Sequence, residues 1–209
     1  MSCSSRGSID PATVRRLGHM GRAVAALAVG LCLALPGQAN TPAAAPATVA
    51  PTAATGHPLL PGSRLSGQAT LRFLGLQIYH ARLWTPPGFQ ADSLGPQPLV
   101  LELEYLRTLK GQAIAERSIQ EMRRAGTFSD ETAARWQADM ARIFPDVKAG
   151  DRLTGVLRPG EGAVFLYNDQ PVGRIADPVF SRLFFGIWLA PTTSEPAMRD
   201  TLLGRAGPR

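Results

Sequence analysis

The side chains that could do nucleophilic or metal chemistry are few in this sequence and lie far apart. Both cysteines, Cys3 and Cys32, precede residue 40, and His19 and His57 also fall outside the part that we expect to fold. His80 is then the one histidine of the folded part. A single imidazole without a thiolate completes neither a zinc site nor a Ser/His/Asp triad. The sequence therefore predicts no metal and no cofactor.

Three aspartates lie close enough in sequence to suggest a cation site, namely Asp139, Asp146 and Asp151. Their spacing matches no calcium loop, because the ligands of such a loop alternate within a dozen residues. Asp146 and Asp151 lie on either side of Gly150, a residue that favours turns, so we expect both aspartates to cap turns around Gly150 instead.

The net charge of +6 comes partly from the N-terminal residues. Residues 1–39 contain four arginines and one aspartate, which leaves a net charge of +3 over residues 40–209. This excess is small, and no run of basic residues interleaved with aromatic residues accompanies it. Both features argue against a nucleic-acid partner.

The composition divides the chain into three parts. Residues 1–39 carry a basic front, an apolar stretch at Ala23–Leu35 and small residues up to Ala39, which is the pattern of a signal peptide. The apolar stretch is short for a membrane span, so we expect cleavage, no stable membrane span afterwards, and a periplasmic or secreted protein. A retained N-terminal anchor is the alternative. Residues 40–64 are an Ala/Pro-rich linker expected to be disordered, and residues 65–204 form the folded domain.

Alternating apolar residues predict six strands, and helical periodicity with capping residues predicts four helices. The predicted strands are Gln68–Phe73, Leu76–Trp84, Pro98–Leu106, Arg152–Leu157, Ala163–Asn168 and Val172–Ile175. The predicted helices are Gly111–Ala125, a segment that starts after Ser129 and stops at Pro145, a segment that starts at Pro178, and Glu195–Leu203. Tight turns join consecutive strands, which indicates an α+β fold with a large antiparallel sheet and a helical layer on one face. In the third strand, Tyr105 faces the core whereas Glu102 and Glu104 face solvent.

The third helix is the most apolar segment of the domain. Asp177 is its expected N-cap, and Pro178 fits the first helical position. Its apolar face is formed by Phe180, Leu183, Phe184 and Ile187. Ser181 is expected on the opposite side, and Gly186 is expected to end the helix. A core helix is the simpler interpretation of this face, and a ligand-lining helix is the alternative.

Four segments resemble a known family. They read GLQIYHARLW, LELEYLRTLKG, IFPDVKAGDRL and FSRLFFGIWLAPTTSEPAMRDTLLG, and they resemble the bacterial branch of the chalcone isomerase-like family in that family's order. The resemblance covers about residues 65–204. It implies an open-faced β-sandwich, in which a ligand cleft lies between a large antiparallel sheet and a helical layer.

The resemblance does not extend to the catalytic residues of the plant enzymes, which close a chalcone into a flavanone. Those enzymes carry a tyrosine, a lysine and an asparagine on one cleft helix, and the matching positions here hold Ile114, Arg117 and Glu121. The threonine of a neighbouring strand falls on Leu74. Only the basic charge is retained, at Arg117, so the resemblance implies a relative that does not cyclise chalcones.

Some relatives bind fatty acids through an arginine and a tyrosine, which implies a small amphipathic or acidic ligand as the partner. The candidates here for holding its acidic group are Arg72, Arg117, Tyr79 and Tyr105. The candidates for lining the apolar part are Phe73, Ile114 and Phe184. The alternative is that Arg117 is a solvated helix residue paired with Glu121 at i+4, and that both tyrosines are core residues.

Two other functions stay open at this point. The first is an isomerase for an enone-type substrate, with Arg117 as the electrophile and Glu121 as the base. The second is an accessory protein of the cell envelope that uses the fold as a scaffold, for which an exposed apolar patch without a cavity would argue. The residues favour no particular oligomeric state.

Overall fold

The computed structural model describes residues 56–205 as one unit. The predicted signal peptide and residues 40–55 of the predicted linker lie outside the described residues. The strands are β1 (Gly56–His57), β2 (Leu60–Pro61), β3 (Arg64–Phe73), β4 (Leu76–Thr85), β5 (Leu99–Tyr105), β6 (Arg152–Arg158), β7 (Gly162–Tyr167) and β8 (Gln170–Ile175). The helices are α1 (Gly111–Ala125), α2 (Asp130–Ile143), α3 (Pro178–Leu189) and α4 (Pro196–Leu202), with a short 3-10 helix at Ala91–Ser93.

Strands β3 to β8 form one antiparallel sheet in which every strand pairs with the next one in sequence. The described residues 56–205 thus confirm the α+β class and the antiparallel sheet. Paired residues project to the same face of a sheet, so Tyr79 of β4 and its partner Tyr105 of β5 both face the helices. Strands β1 and β2 form a separate small hairpin.

Helix α3 forms the centre of the core. It contacts α1 on one side and β7 on the other. Six of its large apolar side chains are buried: Phe180, Leu183, Phe184, Phe185, Trp188 and Leu189. The helix begins as the sequence predicts, because Asp177 Oδ1 accepts hydrogen bonds from the backbone N–H groups of Val179 and Phe180. This burial of large apolar side chains is the main stabilising contribution to the domain.

The expected end of α3 at Gly186 is wrong, because the helix continues to Leu189. Gly186 serves close packing instead: a Cβ atom at this position would lie 2.9 Å from Ala125 Cβ of α1. The expected exposure of Ser181 is also wrong, since this residue is buried and its hydroxyl donates to the Pro178 carbonyl at 3.1 Å. A helix enclosed by neighbours on most sides has little solvated face left.

The β1–β2 hairpin covers part of the sheet face opposite the helices, and two expectations fail there. His57 lies inside the fold, with its ring 5.5 Å from the Trp84 ring. Glu102 does not face solvent but is 7% exposed, and its Oε2 accepts a hydrogen bond from Trp84 Nε1 at 2.9 Å. His57 Nε2 lies 3.5 Å from Glu102 Oε1. The hairpin brings these groups together, and strand alternation alone does not reveal such a contact.

Helix α4 packs against the edge strand β3, and Gly67 allows the close approach. A Cβ atom at residue 67 would lie 2.1 Å from the backbone carbonyl oxygen of Thr201. The helix would have to move away from the strand to admit even a methyl group.

We therefore expect Gly67→Ala to lower the free energy of unfolding by roughly 1–3 kcal/mol, measured by urea denaturation. The matched control is Gln68→Ala on the exposed neighbour in the same strand, expected to change stability by less than about 0.5 kcal/mol. Equal stability of the two variants would contradict the packing of α4 described here.

Candidate ligand-binding cleft

A cleft of about 340 Å³ lies between the helical layer and one end of the sheet. Its walls come from β3, β4 and β5 on the sheet side and from α1, α3 and α4 on the helical side. The apolar lining residues are Leu71, Phe73, Ile78, Leu103, Leu109, Ala113, Ile114, Phe144, Leu153, Phe184, Ile187 and Met198, with Tyr79, Tyr105 and Trp188. The polar lining residues are Arg117, Ser118, Glu121, Ser194 and Glu195. The space is thus mostly apolar. Two of its charged residues, Arg117 and Glu121, lie together on α1 in what we call the charged wall, and the third, Glu195, lies at the start of α4.

Helix α1 places four of these residues in a row. Ile114, Arg117, Ser118 and Glu121 recur at i, i+3, i+4 and i+7, which puts them on one face of the helix. The Ser118 hydroxyl proton is already used, because it donates to the Ile114 carbonyl at 2.8 Å. Arg117 and Glu121 are therefore the groups of this face that can act on a ligand.

Tyr79 and Tyr105 of the sheet and Trp188 of α3 form an aromatic group in the wall of the cleft. Tyr79 Oη accepts a hydrogen bond from Trp188 Nε1 at 2.9 Å, and the Tyr79 and Tyr105 rings meet edge to face at 5.8 Å. Burial raises the pKa of the Tyr105 phenol far above its ordinary value, and the neighbouring Tyr79 adds to this. Burial also raises the pKa of Tyr79, an effect that the Trp188 hydrogen bond partly offsets. Both phenols stay neutral at physiological pH.

The charged wall is an ion-pair group built around Glu121. Arg117 Nη2 lies 2.6 Å from Glu121 Oε1, and Arg124 Nε lies 3.2 Å from Oε2 without forming an aligned hydrogen bond. The Glu121 side chain is only 8% exposed, whereas the Arg117 side chain is 61% exposed. Arg117 therefore has donors left for a ligand at the cleft mouth, while Glu121 is held inside.

The structure brings together most of the residues that the sequence suggested as a site. Seven of them line the cleft: Phe73, Tyr79, Tyr105, Ile114, Arg117, Glu121 and Phe184. Arg72 does not, because it follows Leu71 and precedes Phe73 on β3 and lies exposed on the other side of the strand. Leu74 also lies outside the cleft, in the β3–β4 turn.

Sequence reasoning missed Trp188 and Ile78 as lining residues. Trp188 follows Phe184 by four residues, so helical periodicity points to it once α3 is continued past Gly186. Ile78 is turned toward the cleft by an irregularity in the β3–β4 pairing, where Leu71 opposes Tyr79 but Arg72 opposes Gln77. No local sequence signal marks that shift.

The three aspartates do not gather into a cation site. Asp151 accepts from the Lys148 backbone N–H at 2.9 Å and so serves the turn around Gly150 as expected. The same expectation is wrong for Asp146, which accepts from the Gly111 backbone N–H at 3.0 Å and pairs with Lys110, and so holds the start of the distant helix α1. Asp139 pairs with Arg142. Within residues 56–205, no group of three His, Cys, Asp or Glu side chains could hold a metal ion, and no helix is long and apolar enough to cross a membrane.

Comparison with known proteins agrees with this architecture. Residues 64–204 match the chalcone isomerase-like family. An uncharacterised protein of Haemophilus influenzae is 27% identical over 139 residues, which cover 66% of this chain and 67% of that protein. A crystal structure of a fatty-acid binding protein of Arabidopsis thaliana superposes with a TM-score of 0.55 at 12% identity, covering 72% of this chain and 90% of that one. The likeness to the Arabidopsis structure shows a shared fold.

The raised pKa of Tyr105 predicts a loss of stability in alkali. Its phenol keeps the proton in the folded state but loses it above about pH 10 in the unfolded state. The free energy of unfolding should then fall by about 1.4 kcal/mol per pH unit from this residue, with the full contribution present below that pH.

The measurement is urea denaturation at about pH 8 and about pH 11. Between these two pH values the free energy of unfolding should fall less in Tyr105→Phe than in the unaltered chain, because the contribution of the Tyr105 phenol is absent. An equal alkaline loss in both proteins would mean that Tyr105 ionises freely within the fold.

Proposed function

This chain belongs to the chalcone isomerase-like family, and from that premise we propose that it binds one small single-chain amphipathic molecule, of the fatty-acid type, without cyclising a chalcone. The observation that carries the proposal is the apolar cleft of about 340 Å³ with a partly free arginine at its mouth. The volume lies within the range of about 300–1,000 Å³ that is typical of small-molecule sites.

The apolar wall suits a hydrocarbon chain. The lining residues between β4 and α3 supply ring faces and aliphatic side chains, among them Phe184, whose ring lies 5.5 Å from that of Trp188. The phenols of Tyr79 and Tyr105 stay neutral, so they place no charge against such a chain. Burial of each methylene group contributes about 0.8 kcal/mol to binding.

The charged wall suits an acidic head group at the mouth. Arg117 Nη2 pairs with Glu121, and its Nη1 donates to Gln120 Oε1 at 3.5 Å, whereas a guanidinium carries five N–H donors in all. A carboxylate that approaches from solvent can accept from the remaining donors and form a charge-assisted pair. The exposure of Arg117 places this head group at the water boundary, where an amphipath keeps it.

The arrangement of Glu121 argues against the isomerase hypothesis. A general base must reach the proton that it removes. Oε1 of Glu121 already contacts Arg117, and Oε2 is enclosed within the protein. Glu121 lines the cleft, but its Oε1 would have to give up the Arg117 contact before it could take a proton from a substrate. Ile114, which takes the place of the family's tyrosine by resemblance, offers no hydroxyl for stabilising an enolate.

Two further observations support the proposal. The Arabidopsis protein with the same fold is a fatty-acid binding protein, which makes fatty acids the first ligand class to test. The signal-peptide pattern in residues 1–39 supports an exported protein that meets its ligand in the periplasm or outside the cell.

We expect Arg117→Ala to weaken the binding of a long-chain fatty acid about fivefold, because it removes a charge-assisted contact worth ~1 kcal/mol at a half-exposed position. Binding is measured through the quenching of Trp188 fluorescence by a brominated fatty acid, with Trp188→Phe as the baseline. Arg123→Ala is the matched control, since Arg123 also lies on α1 but pairs with Asp130 outside the cleft.

The ligand supplies a second control. A brominated alcohol of the same chain length should bind Arg117→Ala and the unaltered chain equally, because it carries no carboxylate. If Arg117→Ala binds the acid as tightly as Arg123→Ala does, then the head group lies elsewhere. If neither the acid nor the alcohol quenches Trp188, then the cleft does not hold a hydrocarbon chain.

A further inference from the structure

The turn between β3 and β4 presents large apolar side chains to solvent. Phe73 is 56% exposed, Leu74 is 85% exposed and Leu76 is 49% exposed. We call residues 73–76 the apolar tip. We propose that the apolar tip docks on the surface of an anionic lipid bilayer, and that the cleft exchanges its amphipath with the bilayer there. This inference rests on the proposed function of the cleft.

The backbone of the apolar tip is unfavourable for the residue that it carries. Leu74 has a φ of 48° and Gly75 a φ of 78°, so both central residues of the turn are left-handed. Glycine and asparagine adopt this conformation readily, whereas leucine does so at a cost. Leu74 is not buried among the described residues, so burial does not offset the strain of this conformation. An exposed leucine in a strained turn therefore points to a contact outside the chain.

Two arginines flank the apolar tip. Arg72 opposes Gln77 in the hairpin, and the backbone N–H of Leu106 donates to the Ile78 carbonyl, which places Arg107 beside the same end of β4. Both arginines are exposed, and neither pairs with a carboxylate among residues 56–205. Apolar side chains that protrude between free arginines suit a bilayer with anionic lipids. The acyl region of such a bilayer accepts the apolar side chains, and its negative surface attracts the arginines.

The apolar tip is continuous with the mouth of the cleft. Phe73 belongs to both, and Ile78 lines the cleft just beyond the turn. A hydrocarbon chain that leaves a bilayer at the apolar tip can enter the cleft along these side chains with little exposure to water. The same contact that holds the protein on the surface thus opens a path for the ligand.

A second copy of this chain is a weaker choice of partner. A stable protein–protein interface buries about 800 Å² on each partner. Three partly exposed side chains at one turn supply only a fraction of that area. A bilayer needs no complementary surface, because each apolar side chain can insert into it independently.

The test places a polarity-sensitive fluorophore on the apolar tip of the full chain. The native cysteines are replaced in Cys3→Ser and Cys32→Ser, and the fluorophore is attached through Leu74→Cys. The matched control carries it through Glu161→Cys, in the β6–β7 turn at the opposite end of the sheet. Because the readout is local to the labelled residue, membrane binding by the N-terminal residues does not mimic it.

With vesicles of phosphatidylcholine and phosphatidylglycerol, we expect a blue shift and a severalfold rise in emission at residue 74 and none at residue 161. Vesicles of phosphatidylcholine alone should give a smaller effect, and added salt should reduce the effect on the anionic vesicles. An unchanged signal at residue 74 on anionic vesicles overturns the proposal. A blue shift that depends on protein concentration without vesicles also overturns it, in favour of a second copy.

A second variant separates this inference from the function of the cleft. Leu74→Asn fits the left-handed turn better than leucine does and should fold at least as stably, while it removes the most exposed side chain of the apolar tip. We expect it to bind a brominated fatty acid in solution with unchanged affinity but to take the acid from anionic vesicles severalfold more slowly. Unchanged transfer overturns the inference and leaves the cleft intact. If the unaltered chain does not bind the fatty acid in solution, the proposed function is contradicted, whatever the fluorophore at residue 74 shows.

Discussion

The hydrogen bond from Trp188 to Tyr79 joins the central helix of the core to the sheet at the wall of the cleft. It depends on α3 continuing past Gly186, since Trp188 lies in its last turn. The helix can continue there because Gly186 lets it approach Ala125 of α1 closely. The packing that completes the core therefore also sets the aromatic wall of the cleft. The core and the cleft therefore depend on the same packing of α3 against α1.

The close packing of α1 against α3 also positions the charged wall. Helix α1 presents Ile114, Arg117 and Glu121 along one face toward the sheet. Glu121 is buried and pairs with Arg117 and Arg124, and the exposed Arg117 keeps further donors that can meet a ligand. The cleft has an apolar interior, and its charged lining residues are Arg117, Glu121 and Glu195. An apolar interior with an exposed arginine suits the amphipath proposed above.

Local signals in the sequence predicted the elements and their starts well. Ser129 and Asp177 were recognised as N-caps because a cap depends on a side chain and the backbone within three residues of it. Strand alternation also predicts that Tyr105 faces the core, as it does. These features need no knowledge of distant segments.

Most of the expectations that failed depend on distant segments. The sequence favours a helix end at Gly186 because glycine is common at such ends, but the contact of this residue with α1 decides its role. Glu102 and His57 meet only because the β1–β2 hairpin folds over the sheet. A single sequence does not display these tertiary contacts. Arg72 differs, because alternation along β3, which is a local feature, turns it away from the cleft between Leu71 and Phe73.

Native mass spectrometry of the purified chain shows whether the cleft holds a fatty acid. The protein is incubated with a long-chain fatty acid, freed of excess ligand and sprayed intact. We expect a one-to-one adduct of the ligand's mass in the unaltered chain and less of it in Arg117→Ala. A spectrum with only the bare protein in both would contradict the claim that the cleft is a binding site for a single-chain amphipath.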